Sequence, residues 1–312
     1  MSEALKGQLL CSLAMLLVGS TVAVSKIIGA DIEPFLATSL RHAMALPVLV
    51  WLAWRAGCVM PRLSHHDALL LLLQAAAGSV GYTVLLIQGV MWSSAADAGV
   101  VAGTLPAMAA LLAVLMLGER PGLRLLGAIA LATLGVMALA LAPESAATFK
   151  PTRLLGIAAV LAAIACEAVF ILGNKRLRQP LPPLLLSTLM CAGGLLLSAL
   201  PACYLARTGT PSTLSPAALA GIAYYAWLPT VGGFLLWYAG SARTSGLRAS
   251  LATSWLPVSA LLLSALLLGE TVQLWQWAGL ACVLAAVVLA STGGARTESS
   301  AAPSVARVQA RM

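Results

Sequence analysis

Long apolar runs separated by short polar breaks dominate this chain. A helix that crosses a bilayer core needs about 20 apolar residues, and the pattern predicts about ten such helices. Their expected limits are 7–28, 34–56, 67–91, 94–117, 122–141, 153–175, 181–205, 216–240, 243–268 and 273–291. The tightest breaks are Trp92–Ser94, Gly118–Pro121 and Ser241–Arg243. Ten helices leave no room for a folded soluble domain. The first run exceeds the roughly 7–15 residues of a signal-peptide core, so it reads as a retained helix. Beyond Ser291, two glycines and a Ser/Ala/Arg mixture predict a disordered cytoplasmic tail over 292–312.

Composition agrees with the pattern. Of 312 residues, 61% are hydrophobic and 9% charged, against about 25% charged in a soluble domain. That excludes an ordinary cytosolic enzyme. The net charge of +8 would suit nucleic acid in a soluble protein, but no basic patch with interleaved aromatics is present, so no nucleic-acid partner is expected. The basic residues sort by membrane side instead. With the N-terminus inside, thirteen of the 18 Lys and Arg fall on the inner side. Lys26, Arg41, Lys150, Arg153 and Arg207 fall on the outer side. This bias fits the positive-inside rule with an even number of spans, placing both termini in the cytoplasm. The six cysteines are scattered, with no disulfide framework, zinc site or other cofactor motif.

The two halves resemble each other. Thr104–Pro106 through Leu117–Glu119 aligns without a gap on Trp255–Pro257 through Leu268–Glu270, at an offset of 151 residues. Gly99 and Gly103 match Ser250 and Ser254 at the same offset, and Gly7 and Lys26 match Gly156 and Lys175 at 149. Five spans per half is an odd number, so the second half must enter the membrane from the opposite side. The expected fold is an all-α integral membrane protein. Its ten transmembrane helices form two inverted five-helix repeats, 1–145 and 146–291. Such repeats are the layout of many secondary transporters.

Each half carries a pattern like P-x(11)-G-E followed by a glycine-containing helix: Pro106, Gly118-Glu119 and Gly127, then Pro257, Gly269-Glu270 and Gly279. This pattern, with the segment Ser93 to Val136, resembles the EamA family of the drug/metabolite transporter superfamily. The resemblance covers nearly the whole chain. It implies a bacterial inner-membrane carrier, often an exporter of amino acids or related metabolites. Arg248, among small residues, and Arg41, with no counterpart in the seventh helix, depart from the pattern.

The candidate chemistry follows from polar residues in apolar surroundings. Glu167 lies near the middle of helix six, where a charge costs about 2.5–3.5 kcal/mol. Its counterpart in the first helix is Val18, so the fold does not demand a carboxylate there. Substrate binding or proton coupling is one reading; a protonated glutamate bonded to a neighbouring helix is the other. Arg41 and His42 lie about 10 Å deep from the outer side. Either suits a substrate carboxylate, or a snorkelling arginine and a packing histidine. Glu167 lies about 20 Å from that side, so a direct Arg41–Glu167 pair is not expected. Tyr82, Gln88, Trp237, Tyr238 and Trp255 are candidate cavity walls. Pro106 and Pro257 are candidate helix breaks or packing kinks, and Pro47 and Pro229 read as kinks. Glu119 and Glu270 follow helix-ending glycines and suit caps or paired gates. Asp97 and Lys26 read as interfacial.

No nucleotide-binding motif is present, so transport would draw on an ion gradient, for example a coupling proton, or on the substrate's own gradient. The leading expectation is a secondary transporter that exports small polar metabolites by alternating access. A membrane enzyme acting on lipid headgroups is a rival, with only His65, His66 and Asp67 adjacent at one face. A passive channel or assembly subunit is another.

Overall fold

The computed structural model describes residues 3–117, 123–141, 151–174, 176–178, 181–208, 212–241, 243–244 and 252–301. Its regular elements among these are all helical. In lipid a spanning helix satisfies its own backbone groups, which is why apolar runs of this length take this form. In chain order they are α1 (Glu3–Gly29), α2 (Pro34–Arg55), α3 (His65–Gln74), α4 (Tyr82–Trp92), α5 (Ala95–Ala102), α6 (Leu105–Leu117) and α7 (Leu123–Ala140). The second half supplies α8 (Pro151–Asn174), α9 (Pro183–Arg207), α10 (Pro216–Tyr225), α11 (Gly233–Ser241), α12 (Trp255–Leu268) and α13 (Leu274–Ala301). Two π-helical segments, Ala75–Gly81 and Ala226–Gly232, join α3 to α4 and α10 to α11.

Six described helices are long and apolar enough to cross a bilayer, and Leu126–Leu139, Trp255–Leu268 and Leu274–Leu289 are shorter apolar helices. The run expected over 94–117 is not one helix. A turn at Gly103–Thr104 separates α5 from α6, and the matching turn at Thr253–Ser254 precedes α12. Proline lacks the N–H that the carbonyl four residues back would receive. Pro106 is the second residue of α6 and Pro257 the third of α12, so each opens a helix after the break. Tight i→i−3 bonds fill the gaps: Gly103 to Val100, Thr104 to Val101 and Leu256 to Thr253. The last helix runs to Ala301, past the end expected at 291, with 302–312 outside the described residues.

The packing repeats when the halves are exchanged. α1 packs on α10, α11 and α12 of the second half, while α8 packs on α3, α4, α5 and α6 of the first. α2 pairs with α9, α5 with α12, and α7 with α13. Two glycine crossings sit at matching places. A Cβ on Gly7 would lie 2.9 Å from the Gly240 carbonyl oxygen, and one on Gly156 2.8 Å from that of Gly89. The crossings also fix direction. The end of α1, at Gly29, lies against Ile87 and Met91 near the end of α4, whereas the start of α8, at Gly156, lies against Gly89 and Ser93. α1 thus runs with α4 and α8 runs against it.

Lipid offers helices no hydrophobic incentive to associate, so close approach over small residues carries the packing. Replacing Gly156 or Gly240 by valine is expected to destabilise the protein in detergent by about 1–3 kcal/mol, read as a lower thermal unfolding midpoint. Gly233→Ala, whose Cβ meets nothing closer than 3.9 Å, serves as the control and is expected to cause no loss.

Candidate functional site

The two π segments define the centre of the site. They are 151 residues apart, the offset of the LP and LGE repeats, and they align without a gap: Ala75-Ala-Ala-Gly-Ser-Val-Gly81 on Ala226-Trp-Leu-Pro-Thr-Val-Gly232. Gly78 and Pro229 occupy the same place, and both weaken a helix. Without a Pro229 N–H, the Tyr225 carbonyl loses its α-helical donor; the Thr230 hydroxyl donates to it instead at 2.8 Å. Widened turns of this kind leave backbone and hydroxyl groups free to bond other partners, and they occur frequently at functional sites.

Arg41, on α2, takes up those groups. It is 7% exposed. Its Nη2 donates to the Ser79 carbonyl at 3.0 Å and the Thr83 hydroxyl at 2.9 Å, and its Nη1 contacts the Thr230 hydroxyl at 3.4 Å. The guanidinium lies over the Tyr225 ring, 4.6 Å from its centroid. One side chain thus touches both π segments, one from each half. Its Nε has no hydrogen-bond partner, and neither does the buried Tyr225 hydroxyl. Among the described residues no carboxylate lies within 4.0 Å of Arg41.

Glu167 is half-buried on α8 and makes no hydrogen bond or ion pair among the described residues. It lies within electrostatic reach of Arg41. Tyr82, buried at the start of α4, feels Arg41, Glu167 and Tyr225 together. Nearby, the Ser20 and Tyr224 hydroxyls bond at 2.7 Å across α1 and α10. A cation with an open donor, a carboxylate without a partner and an open phenol therefore converge between the halves.

A family model for the EamA-like transporter family matches residues 5–141 and again 154–292. The chain belongs to the EamA-like transporter family. Each match covers one half of this two-repeat, multi-pass membrane protein. A Bacillus subtilis (strain 168) relative described as "Uncharacterized transporter YetK" is 31% identical over 274 residues, covering 88% of this chain and 83% of that protein. A solved structure described as "Crystal structure of protein" aligns with a TM-score of 0.63 at 20% identity, covering 95% of this chain and 98% of that one. At that identity it speaks for the fold alone.

Within this EamA-like chain the remaining candidates fall in different places. His42 does not face the open site: it is 2% exposed, with both ring nitrogens bonded. Gln88 lies beside a cavity of about 380 Å³ with Asp31 and Glu33. Trp255 is 47% exposed at the start of α12. Trp237 packs with Cys11 and Ala252. The side chain of Tyr238, and Glu119 entirely, lie outside the described residues. The hydroxyl partners Ser79, Thr83, Tyr225 and Thr230 were missed in the sequence; the ungapped seven-residue repeat around Gly78 and Pro229 is the signal that finds them.

Glu270 and Asp97 tie the two halves together at one end of the bundle. The Glu270 carboxylate accepts from the Ala95 and Ala96 backbone N–H groups at 3.1 and 2.9 Å, completing the start of α5 beside the Ser94 cap. Asp97 is 2% exposed, accepts from Arg153 at 2.8 and 3.3 Å, and accepts from Gln276 at 2.8 Å. These groups line a cavity of about 660 Å³. Lys26 likewise bonds the Val90 and Ser93 carbonyls rather than standing free. Asp97→Leu removes the buried carboxylate that Arg153 and Gln276 share and is expected to lower the thermal unfolding midpoint in detergent. An unaltered midpoint contradicts this.

Proposed function

We propose that the protein is a secondary carrier of the bacterial inner membrane that exports a small zwitterionic metabolite, an amino acid, by alternating access. In this reading ten crossings form two inverted five-helix units, with both termini cytoplasmic. The opposite directions of α1 and α8 and the exchange symmetry of the packing support the inversion. The contacts of Asp97 and Glu270 hold the outer ends together in this conformation, so opening outward requires them to part.

One observation carries the substrate class: Arg41 is a buried, permanently charged guanidinium with an open donor and no carboxylate within ion-pair distance. Its missing partner is the substrate carboxylate. Glu167, across the same space, receives the substrate amine or a coupling proton. Tyr82 and Tyr225 provide the walls between them. An ionised carboxylate accepts a charge-assisted hydrogen bond from the open Nε–H, stronger than one between neutral groups.

Hydrogen bonds to a charged group contribute about 1.5–3 kcal/mol, so Arg41→Gln is expected to raise KM for the transported amino acid roughly ten- to hundredfold. Glu167→Gln is expected to slow transport and flatten its pH dependence. Efflux of each of the twenty standard amino acids from proteoliposomes measures both. Unchanged KM in Arg41→Gln together with unchanged rate and pH profile in Glu167→Gln contradicts the reading.

A further inference from the structure

We propose that His42 is a positioning residue for Arg41 rather than a substrate ligand, and that Gly194 on α9 is the position that makes room for it. The proposal rests on the reading of Arg41 as the carboxylate site. The ring's protonation follows from its partners. The Thr38 carbonyl can only accept, so Nδ1, at 2.8 Å, carries the hydrogen. The Arg41 guanidinium can only donate, so Nε2, at 3.1 Å, offers its lone pair. His42 is therefore neutral, with both nitrogens engaged and none left for a ligand.

Adjacent residues on a helix do not face each other. For Nη2 to reach His42, the Arg41 side chain must bend around α2 toward α9. The ring that draws it there is held on the far side by α9. A Cβ on Gly194 would lie 2.6 Å from Nε2, 2.7 Å from Cε1 and 2.9 Å from Cδ2. Two further contacts fix α9 against this stretch of α2: Ser39 donates to Ser198 at 2.9 Å, and the Cys191 thiol points to the His42 carbonyl at 3.6 Å.

The consequence falls on the guanidinium. Its Nη2 meets three acceptors, His42, Ser79 and Thr83, although it has only two hydrogens. That end is anchored. Nε has no partner, so it is the donor left for a carboxylate oxygen. Without His42, Ser79 and Thr83 still take both Nη2 hydrogens, but nothing draws the guanidinium toward α9, so Nε shifts from its position, which weakens carboxylate recognition and leaves amine recognition alone.

The test is ligand binding to purified full-length protein in detergent. The probes are the twenty standard amino acids and the C-terminal amide of whichever binds most tightly; the amide keeps the amine and side chain and lacks the carboxylate. His42→Leu is expected to weaken the amino acid roughly three- to tenfold and leave the amide unchanged. His42→Gln, whose amide oxygen can replace the Nε2 acceptor, is expected to restore most of the loss. Gly194→Ala removes no polar group, yet it pushes the ring away and is expected to reproduce His42→Leu. Equal weakening of acid and amide, or wild-type affinity in both His42→Leu and Gly194→Ala, overturns the proposal. If His42→Leu does not fold, Gly194→Ala and His42→Gln decide it alone. Arg41→Gln separates the two readings. If it keeps wild-type preference for acid over amide, the carboxylate site itself fails. If it loses that preference while His42→Leu keeps it, only the role of His42 fails.

Discussion

A permanent positive charge buried among the helices, with no carboxylate within 4.0 Å among the described residues, is the constraint on which this molecule turns. A guanidinium at the bilayer centre costs about 2.5–3.5 kcal/mol on insertion scales, and more by some calculations. Here that cost is offset by groups the helices release where they depart from α-helical bonding: the Ser79 carbonyl, the Thr83 and Thr230 hydroxyls and the Tyr225 ring. An unbroken helix at Gly78 would keep the Ser79 carbonyl in its own ladder. The irregular backbone and the buried arginine therefore explain each other. Irregular backbone is tolerated at this depth where protein or a cavity surrounds it.

The frame around the charge is symmetric, while the chemistry is not. The two π segments, the two broken helices and the two glycine crossings occur once per half. Ser79 and Thr230 are repeat partners, and each turns toward the second helix of the opposite half. Ser79 donates to the Met190 carbonyl on α9; Thr230 meets the Arg41 guanidinium on α2. Met190 and Arg41 are 149 apart, the offset of the first-helix match, and Glu167 has Val18 as its partner at the same offset. Duplication supplies a scaffold whose halves can exchange roles, and single substitutions within it supply one cation and one anion.

Much of this was legible in the sequence, for physical reasons. Lipid forces backbone satisfaction within each run, so hydropathy alone outlines the helices. The LP and LGE repeats carry the duplication because proline and glycine act on the backbone wherever they stand. The cost of charge in lipid singles out Arg41 and Glu167 from one chain without any alignment. Other features were out of reach. His42 kept two readings, ligand or packing residue, because a lone sequence shows neither the Thr38 carbonyl nor α9 against the ring. The partners of Asp97 were hidden because Arg153 and Gln276 lie 56 and 179 residues away. Pro229 read as a simple kink until its repeat partner proved to be Gly78.

A cryo-electron microscopy structure of the protein with its amino-acid substrate bound tests the central claim most directly. The account predicts the ligand between the halves, its carboxylate within about 3 Å of Arg41 Nε and its amine toward Glu167. A ligand seated elsewhere, with Nε still unpartnered and Nη2 still held by Ser79 and Thr83, would contradict it.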